Sequence, residues 1–385
     1  MLAGGPSRPD GRLAVGPFAG GLNDGAPLRV GSRVSTRAEA GQVVARIDAL
    51  GRRTTTTYDA LGRVTKTTKP DGSTTSTGYD LEGRAVTRTN EAGRTTTTTY
   101  DEVGRAVKVT HPDGTFTLTS YDAAGQRVSS TDERGFVTTY GYDGAGRMTT
   151  VTDALGHTTT SVFDAAGRTV SRVDALGHAT SWVFDAAGRT TSMTDATGAV
   201  TTYEYDASGM KTAEVDALGR RQEWAYDDLG RLVEAKDQGG NAWVYGYDAV
   251  GNHVTQTDAL GRVTRFEYDE QQRQTARVLP MGQRETFAYD VGGNRVKKTD
   301  FNGFTTTYQY DLLGRKVAAV PDPARGEATA TWSYTATGRK AQAANGAGVV
   351  RYSYDERERM IEKGAPAGKL KYTYDASGHV ATMKS

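Results

Sequence analysis

Thirteen aspartates, from Asp59 to Asp311, recur every 21 residues, each directly behind a tyrosine or phenylalanine. A row of carboxylates is the raw material of general acid–base catalysis. That chemistry, however, needs one pair whose surroundings split their pKa values, not a run of equivalent copies. Each Asp instead opens the string Asp-x-x-Gly, where the carboxylate accepts bonds from the turn's own N–H groups and the glycine enters positive φ. The column is read as turn-forming. An arginine follows the glycine in most copies (Arg63, Arg84, Arg105, Arg147, Arg168, Arg189, Arg231, Arg315). Such a column could bind anions; the simpler expectation pairs each arginine with the Asp of a neighbouring repeat. His157, His178 and His379 follow turn glycines, and His111 and His253 are isolated. Neither group offers a third metal ligand at a fixed offset. No serine sits in Gly-x-Ser-x-Gly and no phosphate loop occurs. The expectation is no catalytic residue, no metal, no cofactor and no enzyme activity.

The elements that carry these columns follow from the period. Thirteen copies in register without an insertion, followed by looser ones at Tyr334, Tyr354 and Tyr374, mean one structural unit stacked repeatedly. A second turn signal falls about halfway through each unit, as Asp-Ala-Leu-Gly at 48, 153, 174, 216 and 258 and Pro-Asp-Gly at 70 and 112. Between turns lie short runs rich in threonine and valine, which suit a pleated strand. Each unit is thus one antiparallel hairpin, and the fold class is all-β: a curved or spiral sheet of tandem 21-residue hairpins. The motif residues that shape it include Tyr58, Asp59 and Gly62; Tyr79, Asp80 and Gly83; Tyr100, Asp101 and Gly104; Tyr226, Asp227 and Gly230; Tyr247, Asp248 and Gly251; Tyr310, Asp311 and Gly314. Two residues before the motif aromatic stands a second one, Tyr203, Trp224, Tyr245, Phe266, Phe287 and Tyr308. Residues i and i+2 share a face of a strand, so these form an aromatic ladder expected to be mostly buried. A valine seven positions after the motif aromatic (Val86, Val107, Val254, Val296 among others) is expected to stack across from it. Thr77, Thr98 and Thr119 occupy the ladder in earlier copies, which should pack more weakly.

Composition excludes several classes. A net charge of +1, with both signs mixed along the chain, leaves no basic field for nucleic acid. The absence of cysteine rules out disulfides and thiolate metal sites. No apolar run is long enough to span a membrane, and no Sec-type signal core is recognisable. Residues 1–35, rich in Gly, Pro and Arg, read as a flexible lead or a degenerate first repeat, and residues 36–385 as the repeat array.

Tyr58-Asp59-Ala60-Leu61-Gly62-Arg63 and Tyr310-Asp311-Leu312-Leu313-Gly314-Arg315, at a 21-residue period, resemble the motif of the Rhs/YD-repeat family. The resemblance covers most of the chain. It implies a sheet that spirals into a hollow shell, which in bacterial members encloses a C-terminal toxin for delivery to other cells. Relatives occur in insecticidal toxin complexes and in teneurins, which act in cell adhesion. Asp322-Pro323-Ala324-Arg325-Gly326 is the nearest string to the family's self-cleavage motif, lacks its leucine, and reads as a loop insertion. The functional expectation is a structural shell segment without plug or toxin domain. The alternative is a secreted or surface adhesion module holding glycans or partner proteins. The implied partners are toxin cargo, further YD-repeat segments joined by β-edge pairing, or glycans. The implied location is secreted or cell-surface delivered, after a stage in the bacterial cytoplasm. At roughly 4.8 Å per strand, the array should make an arc or about one spiral turn with a free β-edge at each end.

Overall fold

The computed structural model describes residues 34–38 and 41–385. Thirty-four strands, numbered β1 to β34 in chain order, form one sheet in which each strand lies antiparallel to the next. The sheet does not close. Among the described residues its first strand, β1 (Val34–Arg37), pairs only with β2 (Val43–Ile47), and its last, β34 (Val380–Lys384), only with β33 (Gly368–Tyr374). The reading of residues 1–35 as a lead lies outside the described residues, except for Val34 and Ser35, which open β1.

In the regular part of the array each repeat is a six-residue strand ending on the motif aromatic, a turn, and a five-residue strand. β21 (Ala242–Tyr247) and β22 (His253–Thr257) are typical. Their register shifts at the motif residue: Gly246 pairs with Thr255, but Tyr247 pairs with His253. Val254 is the extra residue of a β-bulge, and the bulge recurs at the same place in the other hairpins. The valines therefore do not stand opposite the aromatics as expected. They are the unpaired bulge residues, with Val296 lining one cleft together with Tyr308 and Tyr310.

The aromatic ladder does share one face, yet its rings are half-buried rather than mostly buried. The reason is architectural: a single sheet has no second layer to cover it. Among the described residues, burial below a tenth of the free surface is confined to small side chains (Ala45, Ala213, Ala276, Ala318) and to Glu285. The Glu285 carboxylate is paired with Arg277 at 2.6 Å and Lys298 at 2.9 Å. The Asp322–Gly326 string is a local turn: Pro323–Arg325 is one 3-10 turn, the Asp322 carboxylate accepts the Ala324 N–H, and Gly326 closes it at φ 62°.

The turns line two rims of the sheet. The motif turns, such as 59–63, lie on one rim and the second turns, such as 48–52, on the other. Late motif turns sit on early second turns: Arg357 reaches Thr115, Arg134 reaches Asp375, and Ser377 reaches Asp132. These contacts join residues 241 to 245 apart. The sheet is therefore a spiral of about twelve repeats per coil that overlaps itself by several repeats.

Candidate functional site

The chemistry that recurs in each repeat is spent on joining it to its neighbours. In the motif turn the Asp59 N–H donates to the Arg63 carbonyl and the Gly62 N–H to the Asp59 carbonyl, both at 3.0 Å. The Asp59 Oδ1 accepts the N–H groups of Leu61 and Arg63. Gly62 sits at φ 78°, a conformation glycine enters without a Cβ penalty. Asp80, Asp101, Asp227, Asp248 and Asp311 make the same turn, closed by Gly83, Gly104, Gly230, Gly251 and Gly314. The Arg63 N–H and guanidinium hold Asp59 below its ordinary carboxylate range, so the turn carboxylate is charged at neutral pH.

The motif tyrosine is a staple. Tyr58 Oη donates to the Val43 carbonyl at 2.8 Å, Tyr79 to Val64 at 2.9 Å and Tyr100 to Ala85 at 2.9 Å. Tyr226, Tyr247 and Tyr310 bond Lys211, Leu232 and Arg295 in the same way. Each acceptor lies 15 residues back, at the first residue of the preceding repeat's five-residue strand, so every hydroxyl ties one hairpin to the last. Burial pushes the Tyr268 and Tyr310 phenols above their ordinary value, which keeps them protonated as donors.

The arginine column corrects the sequence expectation. Arg63 Nε bonds the Oδ2 of Asp59 at 2.7 Å, the carboxylate of its own turn and not of a neighbour. It couples repeats by other means. Its guanidinium lies 4.5 Å from the centre of the Tyr79 ring, one repeat on. It also donates to the next turn's Asp80 carbonyl at 3.5 Å, as Arg105 does to Asp122 at 3.1 Å and Arg231 to Asp248 at 3.3 Å. Five donors on a planar group allow all three contacts at once. His157 and His178 stand in second turns, where Arg52, Arg220 and Arg262 stand in other copies, and pair with Asp153 and Asp174 of their own turns. His253 packs against the rings of Tyr245, Tyr247 and Phe266. Among the described residues no group of three or more His, Cys, Asp or Glu is placed to hold a metal.

The ladder residues Tyr203, Trp224, Tyr245, Phe266, Phe287 and Tyr308 lie beside the staples on the same face, with Lys211 over Trp224 at 4.3 Å and Lys316 over Tyr308 at 4.2 Å. Tyr140 and Trp182 belong to the ladder too, although the threonine-rich early copies hide its start in the sequence. Phe163 and Phe184 keep the ring of the motif tyrosine but lose its hydroxyl. Beside Phe184 opens a cleft of ≈ 530 Å³, lined by Trp182, Arg172, Thr159, Ser161 and Thr190.

Sequence reasoning missed the seam between coils. Arg357 bridges Glu133 at 2.6 Å and lies 3.8 Å from Asp113. His111 lies 3.1 Å from Glu133, Glu358 pairs with Arg94, and Arg134 pairs with Asp375 at 3.1 Å. Burial works against the Asp132 charge, but the Phe136 N–H, the Ser377 hydroxyl and Arg134 outweigh it and lower its pKa to about 2. Glu358 holds a non-glycine residue at φ 63°, with its other oxygen taking the Thr337 hydroxyl at 2.6 Å. The one available signal was compositional: Asp132-Glu133-Arg134 and Asp355-Glu356-Arg357-Glu358-Arg359 crowd charges of both signs onto single turn tips, where many other copies carry Ala and Leu.

These features define a class: a wall of stapled hairpin repeats wound into a spiral shell. A family profile described as teneurin YD-shell matches residues 126–279, and one described as RHS repeat matches 39–74 and 79–115. The chain belongs to the RHS/YD-repeat family. No curated protein matches it. Among solved structures it is similar to "Crystal Structure of TcdB2-TccC3", with TM-score 0.59 at 15% identity over 92% of this chain and 25% of that one. The form of that complex without its hypervariable C-terminal region aligns at TM-score 0.59 and 16% identity, over 92% of this chain and 24% of the other. The chain spans about a quarter of the length of these solved chains. No helix among the described residues is long and apolar enough to cross a membrane.

Proposed function

We propose that this chain is a wall segment of a shell that encloses a polypeptide cargo, a toxin by resemblance to the bacterial members, for delivery outside the cell. The carrying observation is the self-overlap of the coil, with the seam bonded from Arg94 to Ser377. A sheet that stacks on its own rim grows in height and surrounds a volume, which a flat adhesive array does not. The motif chemistry is consumed within the wall, so the reading assigns no catalysis and no cofactor to it. The test is protection. A disordered reporter polypeptide fused after Ser385 should be cut by a soluble protease more slowly than the free reporter; equal rates would overturn enclosure.

The cleft beside Phe184 favours a second reading, adhesion to glycans. An indole platform at Trp182 with an arginine and three hydroxyls around it suits a sugar ring. Binding on a glycan array that is abolished by Trp182→Ala would support it.

A further inference from the structure

The repeat pattern breaks twice in the same stretch of the array. From Tyr58 to Tyr310 the motif aromatic is tyrosine except in two adjacent copies, Phe163 and Phe184. The hydroxyls lost there are those that would reach the carbonyls of Met148 and Thr169. On either side the staple is intact: Tyr142 bonds the Arg127 carbonyl at 2.9 Å and Tyr205 the Thr190 carbonyl at 2.7 Å. The ladder is interrupted in the same copies. From Tyr140 to Tyr308 each copy carries a ring two residues before the motif aromatic, except where Ser161 stands. At roughly 4.8 Å per strand, the missing ring leaves roughly 19 Å between the Tyr140 and Trp182 positions.

Both breaks open onto one cleft. Met148, Ser161, Thr169 and Phe184 all line the ≈ 530 Å³ space beside Trp182, a volume within the usual range for a small-molecule site. Arg172 stands directly across from Ser161 where β13 (Thr158–Phe163) pairs with β14 (Thr169–Val173). It is exposed and is the one charged residue in the lining. Arg168 and Arg189 hold Asp164 and Asp185 at 2.7 Å, but Arg172 has no carboxylate partner among the described residues. The cleft thus combines an indole wall, an unpaired guanidinium, several hydroxyls, and two staple acceptors that receive no hydroxyl.

We infer that this cleft binds a pyranose ring bearing a carboxylate, as in a uronic or sialic acid residue. The apolar face of the ring lies on the Trp182 indole, its carboxylate pairs with Arg172, and its hydroxyls donate to the Met148 and Thr169 carbonyls. A neutral sugar suits the indole but leaves the guanidinium without an anion. A peptide carboxylate pairs with the guanidinium but brings no row of hydroxyl donors for the carbonyls. This rests on the glycan reading and names the class of sugar for it.

Calorimetric titration with two matched pairs separates ring from charge: a galacturonic acid oligomer against its methyl ester, and sialyllactose against lactose. In at least one pair the acid form should bind about tenfold more tightly or better, the worth of a bond to a charged partner. The pair that shows the preference identifies the source of the carboxylate. Arg172→Gln should erase the preference. Ser161→Tyr, which restores the missing ring, should abolish binding while the far-ultraviolet β signal stays. Phe184→Tyr, which supplies the missing hydroxyl, should weaken binding several-fold without lowering the denaturation midpoint. Equal affinity for acid and neutral forms, or an acid preference that survives Arg172→Gln, would overturn the inference and leave the glycan reading standing. No binding of any of the four sugars would sink both.

Discussion

At the residue scale, the motif tyrosine supplies one inter-repeat hydrogen bond that phenylalanine cannot. Phe163→Tyr and Phe184→Tyr each place a hydroxyl where Met148 and Thr169 present the carbonyls that other copies use. Each should raise stability by about 0.5–1.5 kcal/mol, the usual net worth of such a bond. Tyr247→Phe should lower it by a similar amount, losing the bond to Leu232. Chemical denaturation midpoints check all three, and a neutral result at Phe163 and Phe184 together would show that the staple carries no energy. Two non-glycine residues, Gln272 at φ 61° and Glu358 at φ 63°, hold the left-handed turn position. Gln272→Gly should stabilise by about 1 kcal/mol through relief of Cβ strain. Glu358→Gly should not, since it also removes the bonds to Arg94 and Thr337. Equal gains at the two sites would mean that the seam bonds of Glu358 are worth nothing.

At the element scale, the hairpin is the unit and the arginine is its coupler. Arg231 holds Asp227 in its own turn, the Asp248 carbonyl in the next, and the Tyr247 ring at 4.7 Å. Arg231→Ala should cost about 1–2 kcal/mol, from one partly exposed cation–π contact and one bond to a charged donor. Arg231→Lys should recover only part of this, because an ammonium cannot span three partners in a plane. Thermal denaturation of the two variants measures it; a fully rescuing lysine would reduce the column to simple charge pairing. The hairpin, its two turns and its period were legible from Tyr-Asp-x-x-Gly and Asp-Ala-Leu-Gly alone, since both are local hydrogen-bond patterns. The bulge was not. Val254 has the composition of a paired strand residue, and only the pairing of Gly246 with Thr255 and of Tyr247 with His253 shows that it is skipped.

At the scale of the whole molecule, the seam decides whether the sheet is a coil or an open ribbon. Asp132 titrates at about 2 when folded, against an ordinary 3.8. Glu133 and Asp113 are also held below their ordinary range, against a burial cost, by bonds that include the Glu133 backbone and the Arg357 guanidinium for the former and Thr115 for the latter. A group with a depressed folded pKa binds fewer protons folded than unfolded, so its contribution is present above the unfolded value and lost as pH falls through the folded one. The seam should therefore hold at neutral pH and weaken as pH falls from near 4 towards 2. Small-angle scattering should show the radius of gyration rising over that window. Arg357→Ala should move the opening to higher pH while the far-ultraviolet β signal stays. Coincident loss of both signals in the variant and the parent would show that the coils have no separate stability.

The sequence by itself determined the repeat, its strands and turns, the shared face of the aromatic ladder and the family, because each rests on residues within one or two periods of each other. It also pointed to the turn role of Asp59 and its copies. Only the tertiary structure decided how deeply the rings are buried, which carboxylate Arg63 holds, and where the coils meet. Burial depended on whether a second layer exists. The arginine's choice depended on the geometry of its own turn. The meeting of Arg357 with Glu133, 224 residues apart, depended on the accumulated curvature of the sheet. Curvature is the sum of many small rotations between strands, and no single repeat encodes it.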